Sequence, residues 1–165
     1  MKLWRVDDVM TRDVVAVRED TPYREVVDLL ISRRVSAVPV VTRFDRVVGL
    51  VSASDLLDKV QAGGADRAPG ILAGPRRRAR YAKAVARTAG DVMSSPVHTT
   101  LPSLSIAEAA RRMRQHRVKR LPVEDELGRL IGIVTRSDLL KVCLRTDGEL
   151  HRDVNDDHRV SGVVP

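Results

Sequence analysis

With 165 residues and 43% hydrophobic side chains, the chain can build one compact domain or two small ones, but an aromatic content of 2% leaves the core to Val, Leu, Ile, Ala and Met. Its formal charge of +7 fits a basic surface, an acidic partner, a phosphate-bearing ligand or nucleic acid. The single cysteine, Cys143, excludes an intrachain disulfide and suits a reducing compartment.

In chain order, Met1-Lys2-Leu3-Trp4-Arg5 leads into charge instead of a signal-peptide core, and no apolar run approaches the roughly 18 residues of a membrane span. The expected location is the cytoplasm. Asp13-Val14-Val15-Ala16-Val17 is short and β-branched, a strand by composition. Thr21-Pro22 reads as an N-cap followed by proline at the first helical position. Tyr23, Val26, Val27, Leu30 and Ile31 then recur at helical spacing, to an end near Arg33-Arg34. Val35 to Val41 is a second strand, Arg43 to Arg46 a hairpin turn, and Val47 to Val51 a third strand. Ser52 to Asp55 opens a second helix, so the unit is β-α-β-β-α.

A composition change follows. Gly63-Gly64, Pro69-Gly70 and Gly74-Pro75 break regular structure, and Arg76, Arg77, Arg78, Arg80, Lys83 and Arg87 add positive charge. Residues 62–87 are a basic linker, helical from about Arg76 to Arg87, where alanines alternate with basic residues. The unit then returns. Pro96 to Thr100 is the strand, Ser103 or Ser105 opens the helix, and Ile106, Ala109, Ala110 and Met113 form its apolar stripe. Arg117 to Val123 is the next strand, Glu124 to Gly128 the turn, and Leu130 to Val134 the last strand. Cys143, between Val142 and Leu144, reads as a core thiol. The expected division is 1–61, first repeat; 62–87, linker; 88–147, second repeat; and 148–165, a polar tail, frayed or extended.

The two units are one pattern used twice. An offset of 83 residues places Asp55 on Asp138 and, without a gap from Asp8 to Leu57, pairs Asp8-Val9-Met10 with Asp91-Val92-Met93. It also pairs Arg34-Val35 with Arg117-Val118, and Pro39-Val40 with Pro122-Val123. The closing motif is Gly49-Leu50-Val51-Ser52-Ala53-Ser54-Asp55-Leu56-Leu57 in one copy and Gly132-Ile133-Val134-Thr135-Arg136-Ser137-Asp138-Leu139-Leu140 in the other. Between strand end and helix start, Ser52 or Thr135 offers a hydroxyl, and the free N–H groups of the helix start favour an anion. Asp55 and Asp138 fit two roles there: N-terminal caps, or carboxylates that accept both hydroxyls of a ribose.

Two copies of β-α-β-β-α, each opening with Asp-Val-Met and closing on this motif, resemble a tandem pair of CBS domains (the cystathionine-β-synthase type), or Bateman module, over about residues 5–145. The resemblance implies an α/β (α+β) fold in which the two repeats pack sheet to sheet about a pseudo-two-fold axis and leave two clefts. It also implies a disc-like homodimer and an adenosine-type ligand: AMP, ADP, ATP or S-adenosylmethionine. The aspartates would then contact the ribose, with Ser52 and Thr135 near the phosphate end. The base would sit against Val15, Val35 and Ala37 in the first unit and His98, Val118 and Arg120 in the second. The linker, and Ser137 to Arg145 with the acidic stretch after it, also resemble actinobacterial proteins in which a CBS pair precedes a BON domain. The roughly 20 residues after Arg145 are too few for that domain.

Lys119, Arg120 and Arg136 stand where the first unit has Ser36, Ala37 and Ala53. This asymmetry predicts two inequivalent clefts, one of them better suited to an anionic ligand. Catalysis is not expected: no carboxylate pair, no nucleophile beside a base and no metal-ligand spacing among His98, His116, His151 and His158 stands out. The expected function is therefore a non-catalytic sensor, with no required cofactor. The alternative is an interaction module with an empty cleft that docks an acidic protein on Arg76 to Arg87. Nucleic acid is the weaker partner, since stacking aromatics are missing.

Overall fold

The computed structural model describes residues 3–62, 70–85 and 87–144. The whole of the expected polar tail, 148–165, and the glycine-rich first part of the linker, 63–69, lie outside the described residues. In the first repeat a short helix α1 (Val6–Val9) precedes β1 (Val17–Arg18), α2 (Tyr23–Ser32), β2 (Ala37–Val41), β3 (Val47–Ser52) and α3 (Ala53–Ala62). Helix α4 (Pro75–Val85) ends the linker. The second repeat runs α5 (Ala89–Val92), α6 (Ile106–Gln115), β4 (Arg120–Glu124), β5 (Leu130–Thr135) and a helix α7 over 136–144. None of the helices among the described residues is long and apolar enough to cross a membrane.

The two hairpins repeat each other residue for residue. Val38 faces Val51 in the antiparallel β2–β3 ladder, as Leu121 faces Val134 in β4–β5. Both ladders slip register next to the turn, between Val40 and Val41 and between Val123 and Glu124. β1 pairs parallel with β2 through Val17 and Val40. Its counterpart is a single parallel bridge from Thr100 to Val123.

Several elements are shorter than the sequence predicts, each for a local reason. Residues 13–16 are not strand, because the Val14 N–H turns back onto the Arg12 carbonyl and pairing with β2 starts only at Val17. Pro96 to Thr99 likewise stay outside any ladder. Val35 and Val118 precede their strands because helices α2 and α6 first close with a left-handed residue, Arg34 (φ 52) and Arg117 (φ 54). The Val35 N–H reaches the Leu30 carbonyl and the Arg34 N–H that of Ile31, the pair of bonds that defines a Schellman ending. Thr21 does not cap α2. Its hydroxyl accepts the Arg18 N–H at 2.9 Å, and Pro22 takes the cap position. Of the two candidate serines Ser105 caps α6, accepting the Glu108 N–H at 3.2 Å. Cys143 is exposed, since α7 turns Leu139 and Val142 inward and leaves the next position facing out.

Each core is completed by the other copy. Val17, Val26, Leu30, Val38 and Val51 pack around Ala89 and Val92 of α5, which opens the second repeat. Conversely Ala109, Met113, Leu121, Val123 and Val134 pack around Val6 and Met10 from the first. A bridge ties Leu50 to Ser94, and another ties Thr11 to Ile133. Gly49 and Gly132 permit this crossing: a Cβ at either would fall on the sulfur of Met93 or Met10 respectively. Interleaving brings the segment after α5 alongside β3, and that contact builds the site.

Candidate functional site

Ser52 ends β3 and α3 begins at the next residue, so Asp55 occupies the third helical position. The pair forms a capping box: the Ser52 hydroxyl accepts the Asp55 N–H at 3.3 Å, and Asp55 Oδ2 accepts the Ser52 N–H at 2.8 Å. The same Oδ2 also accepts the Ser52 hydroxyl proton at 2.8 Å. Thr135 and Asp138 repeat these bonds at 3.3, 2.8 and 2.9 Å. Ser52 and Thr135 are therefore the helix caps and the aspartates their third-position partners, not N-caps themselves, and the other carboxylate oxygen distinguishes them. Asp55 Oδ1 accepts from the Ser94 hydroxyl at 3.1 Å, whereas Asp138 Oδ1 faces Lys141 Nζ at 3.5 Å.

Asp55 stands on one wall of a cleft of about 370 Å³. Ser52 and the first turn of α3 share that wall; His98, Val118, Lys119 and Arg120 of the second repeat line the other. Six predicted site residues thus meet in one place, drawn from both repeats. The remaining six do not line this cleft: Val15, Val35, Ala37, Thr135, Arg136 and Asp138 sit at positions 83 residues away from its lining. Ala37 is buried opposite Ser52 in the β2–β3 ladder, Val15 is half-buried, and Val35 is exposed. Arg136 is exposed at the start of α7, its N–H donating to the Lys119 carbonyl at 3.1 Å. Asp55 therefore faces the strand entry of the opposite repeat, a pairing that spacing along the chain cannot reveal.

Charge gathers on one wall. Arg120 crosses the cleft and donates from Nη1 to the Ser36 hydroxyl at 2.9 Å. Burial lowers the Arg120 pKa, because desolvation disfavours the charged guanidinium. Arg117, at the left-handed position that closes α6, also lines the cleft. Arg117, Lys119 and Arg120 have no ion-pair partner among the described residues. His98 stacks on His116, ring centroids 3.7 Å apart and planes 15° from parallel, which fixes the imidazole face at the lip.

Ser36, Ser94 and Arg117 belong to the site without having been anticipated. The repeat alignment held a sign of the arginine, since Arg34 and Arg117 match, but nothing local placed it opposite Asp55. The described residues hold no group of three or more side chains suited to a metal ion. The arrangement is a two-walled slot with a capped helix start on one side and unpaired cations on the other, suited to an elongated polar ligand with an anionic end.

Comparison with known proteins agrees with this architecture. The family model described as "CBS domain" matches residues 6–62 and 89–145. The Methanocaldococcus jannaschii protein MJ1426 is 30% identical over 153 residues, 84% of this chain and 90% of its own. In other curated relatives the match takes up from 23% to 66% of the relative's length. Among solved structures, CBSX2 in complex with AMP superposes with a TM-score of 0.76 at 28% identity, covering 87% of this chain and 99% of that one. The CBS domain pair of MJ0100, solved with 5-methylthioadenosine and S-adenosyl-L-methionine, has the same fold, with a TM-score of 0.69 at 17% identity over 88% and 99% of the two chains. The chain belongs to the CBS-domain family, as a tandem pair whose two copies complete each other's cores.

Proposed function

We propose that this chain is a non-catalytic regulatory module of the cytoplasm that binds an adenosine-type ligand (AMP, ADP, ATP or S-adenosylmethionine) between its repeats. Binding is passed on as a change in dimer geometry or in partner docking. The observation that carries this reading is the convergence of Ser52 and Asp55 from one repeat with His98, Val118, Lys119 and Arg120 from the other on a single cleft. The small apolar Val118 and the imidazole face of His98 suit a base, Asp55 a ribose, and the cationic wall a phosphate. The AMP bound by CBSX2, at 28% identity, supports the same class. The Asp138 side is the weaker cleft in this reading, since His98 and Arg120 give way there to Val15 and Ala37.

Thermal unfolding with each of the four ligands tests this reading. A ligand present at about 100 times its dissociation constant adds roughly 2.7 kcal/mol, a shift of about 5–10 °C for a chain of this size. The shift should persist in Asp138→Ala and shrink in Asp55→Ala, each measured against its own unliganded midpoint. No shift with any of the four would sink the adenosine reading. It would favour the second one, docking of an acidic protein on α4, which the exposed side chains of Arg76, Arg77 and Arg78 support.

A further inference from the structure

We infer that the Asp55 cleft selects a polyphosphate nucleotide, ADP or ATP, over AMP and over S-adenosylmethionine. The inference rests on the adenosine reading above and goes beyond it in naming the charge of the ligand. Three observations carry it.

The cleft has more positive charge than one phosphate needs. Arg117, Lys119 and Arg120 stand on one wall, and none has a carboxylate partner among the described residues. The acid that lines the opposite wall, Asp55, is already engaged by the Ser52 N–H and the Ser52 and Ser94 hydroxyls. Arg120 donates to a neutral hydroxyl, so its half-buried charge has no counter-ion among the described residues. A chain of phosphates supplies the missing anions; the positively charged sulfonium of S-adenosylmethionine does not.

The two clefts differ in their balance of charge. At the positions matching Arg117, Lys119 and Arg120 stand Arg34, Ser36 and Ala37, while Lys119, Arg136 and Asp13 match Ser36, Ala53 and Pro96. By the repeat offset the other side therefore sets two carboxylates, Asp13 and Asp138, against its cations where this cleft has Asp55 alone. A generally basic surface would not discriminate between two halves of one repeated unit.

Arg117 occupies a backbone position that glycine fills more cheaply. Its φ of 54° lies in the left-handed region, where a Cβ is strained. Arg34 holds the same backbone position in the first repeat (φ 52), so what sets Arg117 apart is its side chain on the Asp55 cleft with no ion pair among the described residues. This also separates binding from folding. Arg117→Gly relieves the backbone while removing a cation, so a loss of binding cannot be blamed on a damaged fold.

The test is calorimetric titration of adenosine, AMP, ADP, ATP and S-adenosylmethionine into the whole chain, at about 0.05 M and 0.3 M salt. ATP and ADP should bind at least about tenfold more tightly than AMP, which is about 1.4 kcal/mol, and higher salt should narrow the gap. Arg117→Gly should unfold at the same or a higher temperature yet reduce the ATP-to-AMP ratio several-fold, whereas Arg34→Gly should leave that ratio unchanged. AMP or S-adenosylmethionine binding as tightly as ATP would overturn the inference and leave the adenosine reading standing. An unchanged ratio in Arg117→Gly, or a fall in Arg34→Gly instead, would also overturn it. Failure of all five ligands would remove both readings together.

Discussion

Thr100 is the residue at which the second repeat departs most plainly from the packing rules that shape the first. It is 1% exposed, and its hydroxyl has no hydrogen-bond partner among the described residues. Its counterpart in the first repeat is Val17, also buried and also paired with the middle strand of its sheet. A buried hydroxyl without a partner costs about 1–3 kcal/mol, and valine has nearly the same shape. Thr100→Val should therefore stabilise the chain by about 1–2 kcal/mol in urea unfolding, with an unchanged m-value. A loss of stability would mean that the hydroxyl finds a partner in solution, and would make Thr100 a functional residue instead of a packing fault. The same comparison by offset explains which site residues were legible beforehand. Ser52, Asp55 and their copies stand out because strand, hydroxyl and carboxylate are adjacent in the chain. Ser94, Ser36 and Arg117 acquire a role only through contact with the other repeat, and no local pattern carries that information.

At the level of elements, hairpins and helices follow from periodicity, whereas the first strand of each unit does not. Asp13 to Val17 and Pro96 to Thr100 have the composition of strands, yet pairing is a property of the partner: of these residues only Val17 and Thr100 meet one. The crossing of α1 and α5 was equally invisible, since Asp-Val-Met opens both copies and either core accepts the same apolar side chains. Its energetic consequence can be measured. Val6 is fully buried, and it belongs with Met10 to the core built on Met113, Leu121 and Val134 of the other repeat. Val6→Ala removes two methyl groups and leaves a cavity, a loss of about 2 kcal/mol. In native-state hydrogen exchange the amides of β4 and β5 should lose protection before those of β2 and β3. The reverse order would contradict the interleaved cores. Because each repeat is completed by the other, a ligand that moves one wall of the cleft acts on both cores.

For the whole molecule, a displacement at the cleft has to reach the outside. Leu57 and Val60 on α3 are 60% and 67% exposed, and Leu140 and Leu144 on α7 are 65% and 75% exposed. The spacings of three and four put each pair on one face of its helix, and the offset of 83 residues maps Leu57 onto Leu140. α3 and α7 are also the helices whose first turns carry Asp55 and Asp138, so the apolar stripe and the cleft share rigid elements. Two apolar pairs on one chain, corresponding at Leu57 and Leu140, suit a second copy of the chain, because a two-fold contact is self-complementary. Burying a leucine or valine side chain is worth about 1.5–3 kcal/mol, so three leucines and a valine from each protomer are enough to centre a dimer contact. Sedimentation equilibrium at micromolar concentration should find a dimer of the whole chain. Leu57→Glu with Leu140→Glu should shift it to monomer while the far-ultraviolet circular dichroism is retained, since both positions are exposed in the single chain. A wild-type monomer, or a double variant that stays dimeric, would place the contact elsewhere. If the stripes do pair, ligand binding has a direct route outward: a phosphate chain that draws Arg120 away from Ser36 alters the cleft at the root of α3, and the other end of that lever is the dimer contact.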